Sequence, residues 1–180
     1  MPSKYKHTGD DGKTAVPGES RVAKFHPRFE VLGDLDEASA AIGLARSLAK
    51  NDRHTGILIE AQKQLYLAMA DIARPLEEKG STPHLASTHL DWINTVTGEL
   101  EAQIQLPSQF ILPGDSVESA ALSLARTIVR RAEREAAAYI YKNNVKNDYL
   151  LAWLNRLSHL LFLLEVSTAS TSGEGPTLVK

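Results

Sequence analysis

The chain contains no cysteine. That excludes disulfides, thiolate-held metals and a cysteine nucleophile, and it suits a reducing compartment, so a cytoplasmic location is expected. An excess of one charge sign is also lacking, since 20 Lys and Arg face 22 Asp and Glu for a net charge of −2. A near-neutral chain has no global field to draw in nucleic acid or an anionic membrane surface, so any anion site must be local. No uncharged apolar run reaches the roughly 18 residues of a membrane span, and the N-terminus lacks the apolar stretch of a secretory signal. There is no internal repeat. No stretch alternates apolar and polar residues long enough to predict a strand. His7, His26, His54, His84, His89 and His159 show no metal-ligand spacing, and no Ser-His-Asp signature appears, so no protein-held metal is expected.

What is present is helical periodicity. A chain of 180 residues, 43% hydrophobic, fits one domain with a sizeable core. Residues 1–26 are polar, with Pro2 and Pro17, and read as a loop or arm. Pro27 can open a helix at its first position. From there Phe29, Leu32, Leu35, Ala38, Ile42, Ala45 and Leu48 recur at three to four residues. Further helices are predicted over about 54–73, 85–104, 116–142 and 147–169, with Pro75, Gly80, Pro83, Pro107 and Pro113-Gly114 breaking the chain between them. The expected fold is all-α: an antiparallel five-helix bundle over residues 27–169, preceded by the loop and followed by a loose tail, 170–180.

Three features could carry chemistry. Thr8-Gly9-Asp10-Asp11-Gly12-Lys13-Thr14 packs hydroxyls, glycines, carboxylates and a lysine into one short segment, a composition suited to a loop around a phosphate and its metal. It is not a P-loop, because His7 stands where the first glycine belongs and no strand precedes it. Nor does it carry the alternate carboxylates of an EF-hand. A flexible polar terminus is the plainer alternative. In the fourth helix, Arg126, Arg130 and Arg134 stack at i, i+4 and i+8, with Arg131 and Glu133 at the edges. Guanidinium groups bind phosphate oxygens in pairs, so the row could clamp a triphosphate; a solvated charged face is the plainer reading. In the fifth helix, Asn155, Ser158, His159 and Phe162 make a polar notch on one face of an apolar run. A satisfied polar contact between helices is its simplest explanation.

Together these segments resemble the PduO-type ATP:cob(I)alamin adenosyltransferases over about residues 4–169. The resemblance is carried by Thr8–Thr14; by Gly33-Asp34-Leu35-Asp36-Glu37 with Ala41-Ile42-Gly43; by Phe110-Ile111-Leu112-Pro113-Gly114; and by Arg126–Arg134 with Leu154-Asn155-Arg156-Leu157-Ser158. It implies a homotrimer with active sites between subunits, ATP with Mg²⁺, and cob(I)alamin as co-substrate. It places Thr8, Gly9, Asp10, Thr14 and Lys24 in the nucleotide loop, and Arg130, Glu133, Arg134, Asn155 and His159 on the helical side of the site. Arg130 and Phe110 are then the catalytic candidates, with Phe110 closing the lower face of the corrin. Asp36 and Arg126 match a pair that bridges subunits.

The sequence departs from that family's pattern at His159, where an Asp is usual, and at Ala15, which lacks the usual hydroxyl. Leu32 replaces a common aromatic, Pro17 stiffens the loop, and Asp115 replaces a second glycine. Two readings therefore stand beside the active transferase: a paralogue that binds ATP or a corrinoid without turnover, and a trimeric bundle whose charged rows only join subunits.

Overall fold

The computed structural model describes residues 9–15, 20–74, 82–171 and 175–179. It consists of two short strands, β1 (Lys13–Thr14) and β2 (Val22–Ala23), and five helices, α1 (Pro27–Leu48), α2 (Asp52–Ala73), α3 (Ser87–Glu101), α4 (Val117–Asn143) and α5 (Leu150–Thr171). The all-α bundle read from periodicity is the architecture observed. Helix α1 packs on α2 and α4, and α5 is wedged between α3 and α4.

Local chemistry sets the helix ends. Pro27 occupies the first turn of α1, and Nδ1 of His26 accepts the Arg28 amide at 3.2 Å. Asn51 caps α2 through the Arg53 amide at 2.8 Å. At α4, Ser116 and Ser119 cap one another's amides, and Asn144, at φ +52°, closes the other end in the left-handed conformation. Helix α3 begins at Ser87 rather than near Leu85, and the Ala86 amide is taken up by His89 Nδ1 at 2.9 Å. Helix α5 begins at Leu150 rather than Asn147, because the Asn147 side chain turns back to accept the Tyr149 amide at 2.9 Å and donates to Asp71 at 2.8 Å.

The core takes Leu35, Ala38, Ile42 and Ala45 from the predicted α1 stripe, and with them Leu58, Ala61, Leu65 and Ile72 of α2, Ile93 and Leu100 of α3, and Leu154, Leu157, Leu160 and Leu161 of α5. Burying each such leucine stabilises the fold by about 1.5–3 kcal/mol. Trp153 is wholly buried, and its indole N–H is satisfied by Gln64 at 2.8 Å. Helix α4 turns Ala121, Ala125, Ala132 and Ala136 inward, small side chains that let it approach α1 closely. Helix α5 is long and apolar enough to cross a membrane, but most of it is buried in the bundle.

Two departures from the sequence reading concern the loops. Strands were not predicted, yet β1 and β2 pair antiparallel, with Lys13 opposite Ala23 and Thr14 opposite Val22. Two residues per strand are too few to leave an alternating pattern. The tail was expected to be loose, yet residues 175–179 are fastened to the α3–α4 connection: Ile111 and Leu178 form an antiparallel bridge, with Leu112 N donating to Thr177 O and Val179 N to Phe110 O, each at 2.8 Å.

Candidate active site

Among the described residues, the N-terminal loop is shaped by an ion pair and a glycine turn. Arg21 grips both carboxylate oxygens of Asp11, at 2.7 and 2.8 Å, and also donates to the Lys13 carbonyl at 3.0 Å. The Arg21 hydrogen bond holds the Asp11 carboxyl below its ordinary range. Gly12 turns at φ +77°, where side chains are strained, and its carbonyl accepts the Lys24 amide at 2.8 Å. The Lys24 ammonium lies so close over Gly9 that a Cβ there would meet Nζ at 3.1 Å. Gly9, Gly12 and Lys24 are thus brought together around a short hairpin. Asp10 is exposed and Thr14 half-buried. Thr8, also assigned to this loop by sequence, lies outside the described residues.

The second surface is the outer face of α4. Arg126 is half-buried and bonded within the chain, through Nε to Glu165 at 3.4 Å and through Nη2 to Ser123 at 3.1 Å. Glu165 is a carboxylate inside an apolar stretch; burial raises its pKa, while Ser123 and Arg126 act the other way. Arg131 pairs with Asp34 at 3.5 Å and with Glu37 on α1. Arg130 is different: it is exposed, and its guanidinium has no partner among the described residues. Arg134 spends one nitrogen on the Arg130 carbonyl at 3.0 Å and is otherwise open to solvent. Next to them, Asn155 of α5 donates to Glu133 of α4 at 3.0 Å. Asp36 is exposed and, among the described residues, has no partner within its own chain.

The notch on α5 divides between two neighbours. Asn155 turns to α4, whereas His159 turns to α3, where Nε2 meets Glu101 at 2.7 Å, and its ring stacks on Phe162 with centroids 6.4 Å apart. Ser158 is buried and donates back to the Asn155 carbonyl. Phe110 stands on the α3–α4 connection, 85% exposed.

The profile of the cobalamin adenosyltransferase family matches residues 4–168, which include the loop, the arginine row and the notch. This chain belongs to that family. It is therefore a transferase by descent. Among the similar family members is the corrinoid adenosyltransferase of Mycobacterium tuberculosis, 42% identical over 164 residues that cover 89% of this chain and 85% of that protein. Corrinoid adenosyltransferase PduO of Salmonella typhimurium is 34% identical over 161 residues, 89% of this chain and 48% of its own length. A variant of the PduO-type ATP:corrinoid adenosyltransferase of Lactobacillus reuteri, solved with cobalamin and ATP, superposes with a TM-score of 0.89 at 25% identity, over 99% of this chain and 97% of that one.

Sequence reasoning missed several groups in this adenosyltransferase. Glu101, at the end of α3, has no local pattern around it, and Asp115 enters the sequence reading only as a departure from the resembled family, with no sign of Thr177 as its partner. Glu165 did leave a signal, as a lone carboxylate in the run Leu163-Leu164-Glu165-Val166. Among the described residues no group of three or more His, Asp or Glu could hold a metal ion.

Proposed function

We propose that the loop and the α4–α5 face form the two walls of a site that transfers the 5′-deoxyadenosyl group of ATP to the cobalt of cob(I)alamin, releasing triphosphate. The observation that carries this is Arg130: a guanidinium with no partner among the described residues, placed on a rigid helix between Arg126 and Arg134, in a chain of the adenosyltransferase family. In this reading Thr8, Gly9, Asp10, Thr14 and Lys24 fold over the nucleotide. Arg130 and Arg134 take the phosphates, and Glu133 with Asn155 fixes their lateral position.

The transfer makes one cobalt–carbon bond and breaks the C5′–oxygen bond, whose electron pair leaves with the triphosphate. Cobalt supplies the pair for the new bond and ends two oxidation levels higher. The leaving group gains charge, so guanidinium groups aimed at it stabilise the transition state more than the ground state. Mg²⁺ in this reading accompanies the triphosphate and neutralises part of its charge. Such an ion is typically held by phosphate oxygens and water with one or two carboxylates, and Asp10 is an exposed carboxylate of the loop that would be available to it. Phe110 covers the lower face of the corrin, excluding water from cobalt. The assembly in this reading is a homotrimer with sites at subunit interfaces, where Asp36 reaches Arg126 of a neighbouring copy, and its setting is the cytoplasm.

The test is corrinoid absorbance after ATP and Mg²⁺ are added to reduced cobalamin without oxygen. Adenosylcobalamin should form. If the corrinoid stays reduced and no adenosylcobalamin appears, the transferase reading is wrong.

The contact of His159 with Glu101 favours a second reading, binding without turnover, because a group fixed on α3 replaces the usual aspartate. It predicts calorimetric ATP binding with no transfer, and recovery of transfer in His159→Asp. A lower rate in that variant makes His159 an adapted residue of an active enzyme.

A further inference from the structure

We propose that Asp115 and Thr177 are positioning residues for the corrinoid half-site: they latch segment 175–179 to the start of α4, and that segment holds the backbone under Phe110. The inference rests on the reading of Phe110 given above.

Phe110 is 85% exposed, so packing does little to hold its ring in place. Its position must come from its backbone. That backbone is held by the antiparallel bridge to Leu178, through the two hydrogen bonds Leu112 N to Thr177 O and Val179 N to Phe110 O. A single bridge is a weak hold unless its second strand is itself anchored.

The anchor is Asp115. Its two carboxylate oxygens accept from Thr177, Oδ2 from the amide at 3.0 Å and Oδ1 from the hydroxyl at 2.6 Å. Gly114, at φ +125°, makes the turn that brings Asp115 back against the tail. Ser116, the next residue, caps α4. Tension on Phe110 thus runs through the tail into a capped helix of the bundle. The hydrogen bonds from Thr177 also hold the Asp115 carboxyl below its ordinary range, as expected for an acceptor used in its charged form.

The experiment uses the full chain and the variants Asp115→Ala, Thr177→Val, Thr177→Ser and Phe110→Ala. Amide exchange reads the latch: Leu112 and Val179 should exchange roughly tenfold faster in Asp115→Ala and Thr177→Val, and near the parent rate in Thr177→Ser, which keeps the hydroxyl. Turnover reads the consequence: KM for the corrinoid should rise and the four-coordinate cob(II)alamin absorbance should fall in the first two variants, with KM for ATP unchanged. Faster exchange with unaltered corrinoid kinetics, while Phe110→Ala is impaired, overturns the positioning role and leaves the reading of Phe110 intact. Unaltered turnover in Phe110→Ala overturns both. Unaltered exchange in Asp115→Ala overturns the latch itself.

Discussion

The two walls of the proposed site are built in opposite ways. The N-terminal loop owes its shape to an exposed Asp11–Arg21 pair, a two-residue ladder and one glycine turn. Every one of those contacts is reachable by water. The α4–α5 wall stands on a face with Ala125, Val129, Ala132, Leu154 and Leu157 wholly buried beneath it. Loops of the first kind open at little cost, whereas packed helices open only with the whole domain. In the proposed reading the tasks divide accordingly: the wall is shaped before the nucleotide arrives, and closure over it falls to the loop.

Removing the charge from the wall should give the largest effect. Arg130→Ala is expected to lower kcat/KM by about 10²–10³-fold, as for loss of a group that meets developing charge. Its melting temperature should hold, because the guanidinium has no partner among the described residues. A loss confined to stability would sink the assignment. Next comes the foundation beneath it: Leu154→Ala should destabilise the fold by about 2–5 kcal/mol in denaturant titration, with KM for ATP of the folded fraction unchanged. On the other wall, Asp11→Ala should raise KM for ATP roughly tenfold with little change in unfolding, since it frees a loop that must be ordered to bind. Added salt should move the parent enzyme part of the way towards the variant, because the pair is exposed.

Acid should invert the comparison. His54 is buried, its Nδ1 lacks a hydrogen-bond partner among the described residues, and burial lowers its pKa from 6.5 despite Glu118 nearby at 3.9 Å. The unfolded chain therefore takes up this proton first. The stability His54 contributes above pH 6.5 is lost as pH falls through the lowered folded value. The Asp11 pair, with a pKa lowered from 3.8, persists until pH is well below that. Melting temperature should begin to fall below pH 6.5 in the parent and fall less steeply in His54→Gln. Equal slopes would remove His54 from the account.

The helices were legible because burial imposes a period, and α1 buries Leu35, Ala38, Ile42 and Ala45 of the stripe that the period selects. The loop stood out by its composition, with hydroxyls, glycines, carboxylates and a lysine gathered in seven positions, although composition alone also fits a polar terminus. Its hairpin was not legible, because Lys13–Thr14 and Val22–Ala23 are too short to imprint an alternation. The notch on α5 was read as one unit, but a helix wedged between two others sends residues one turn apart to different neighbours. His159 finds Glu101 across 58 residues of sequence, and Thr177 finds Asp115 across 62; no local pattern encodes such meetings.

The alanine face of α4 has one more consequence. Side chains that end at Cβ leave no methylene to fold aside, so bulk added on this face must be taken up by movement of the helix or of its neighbours. One added branch at Ala132 would push the helix outward, and Arg130 would travel with it. The reach of the guanidinium towards its substrate can therefore be adjusted, like a screw turned from behind a panel, through residues that no substrate ever meets.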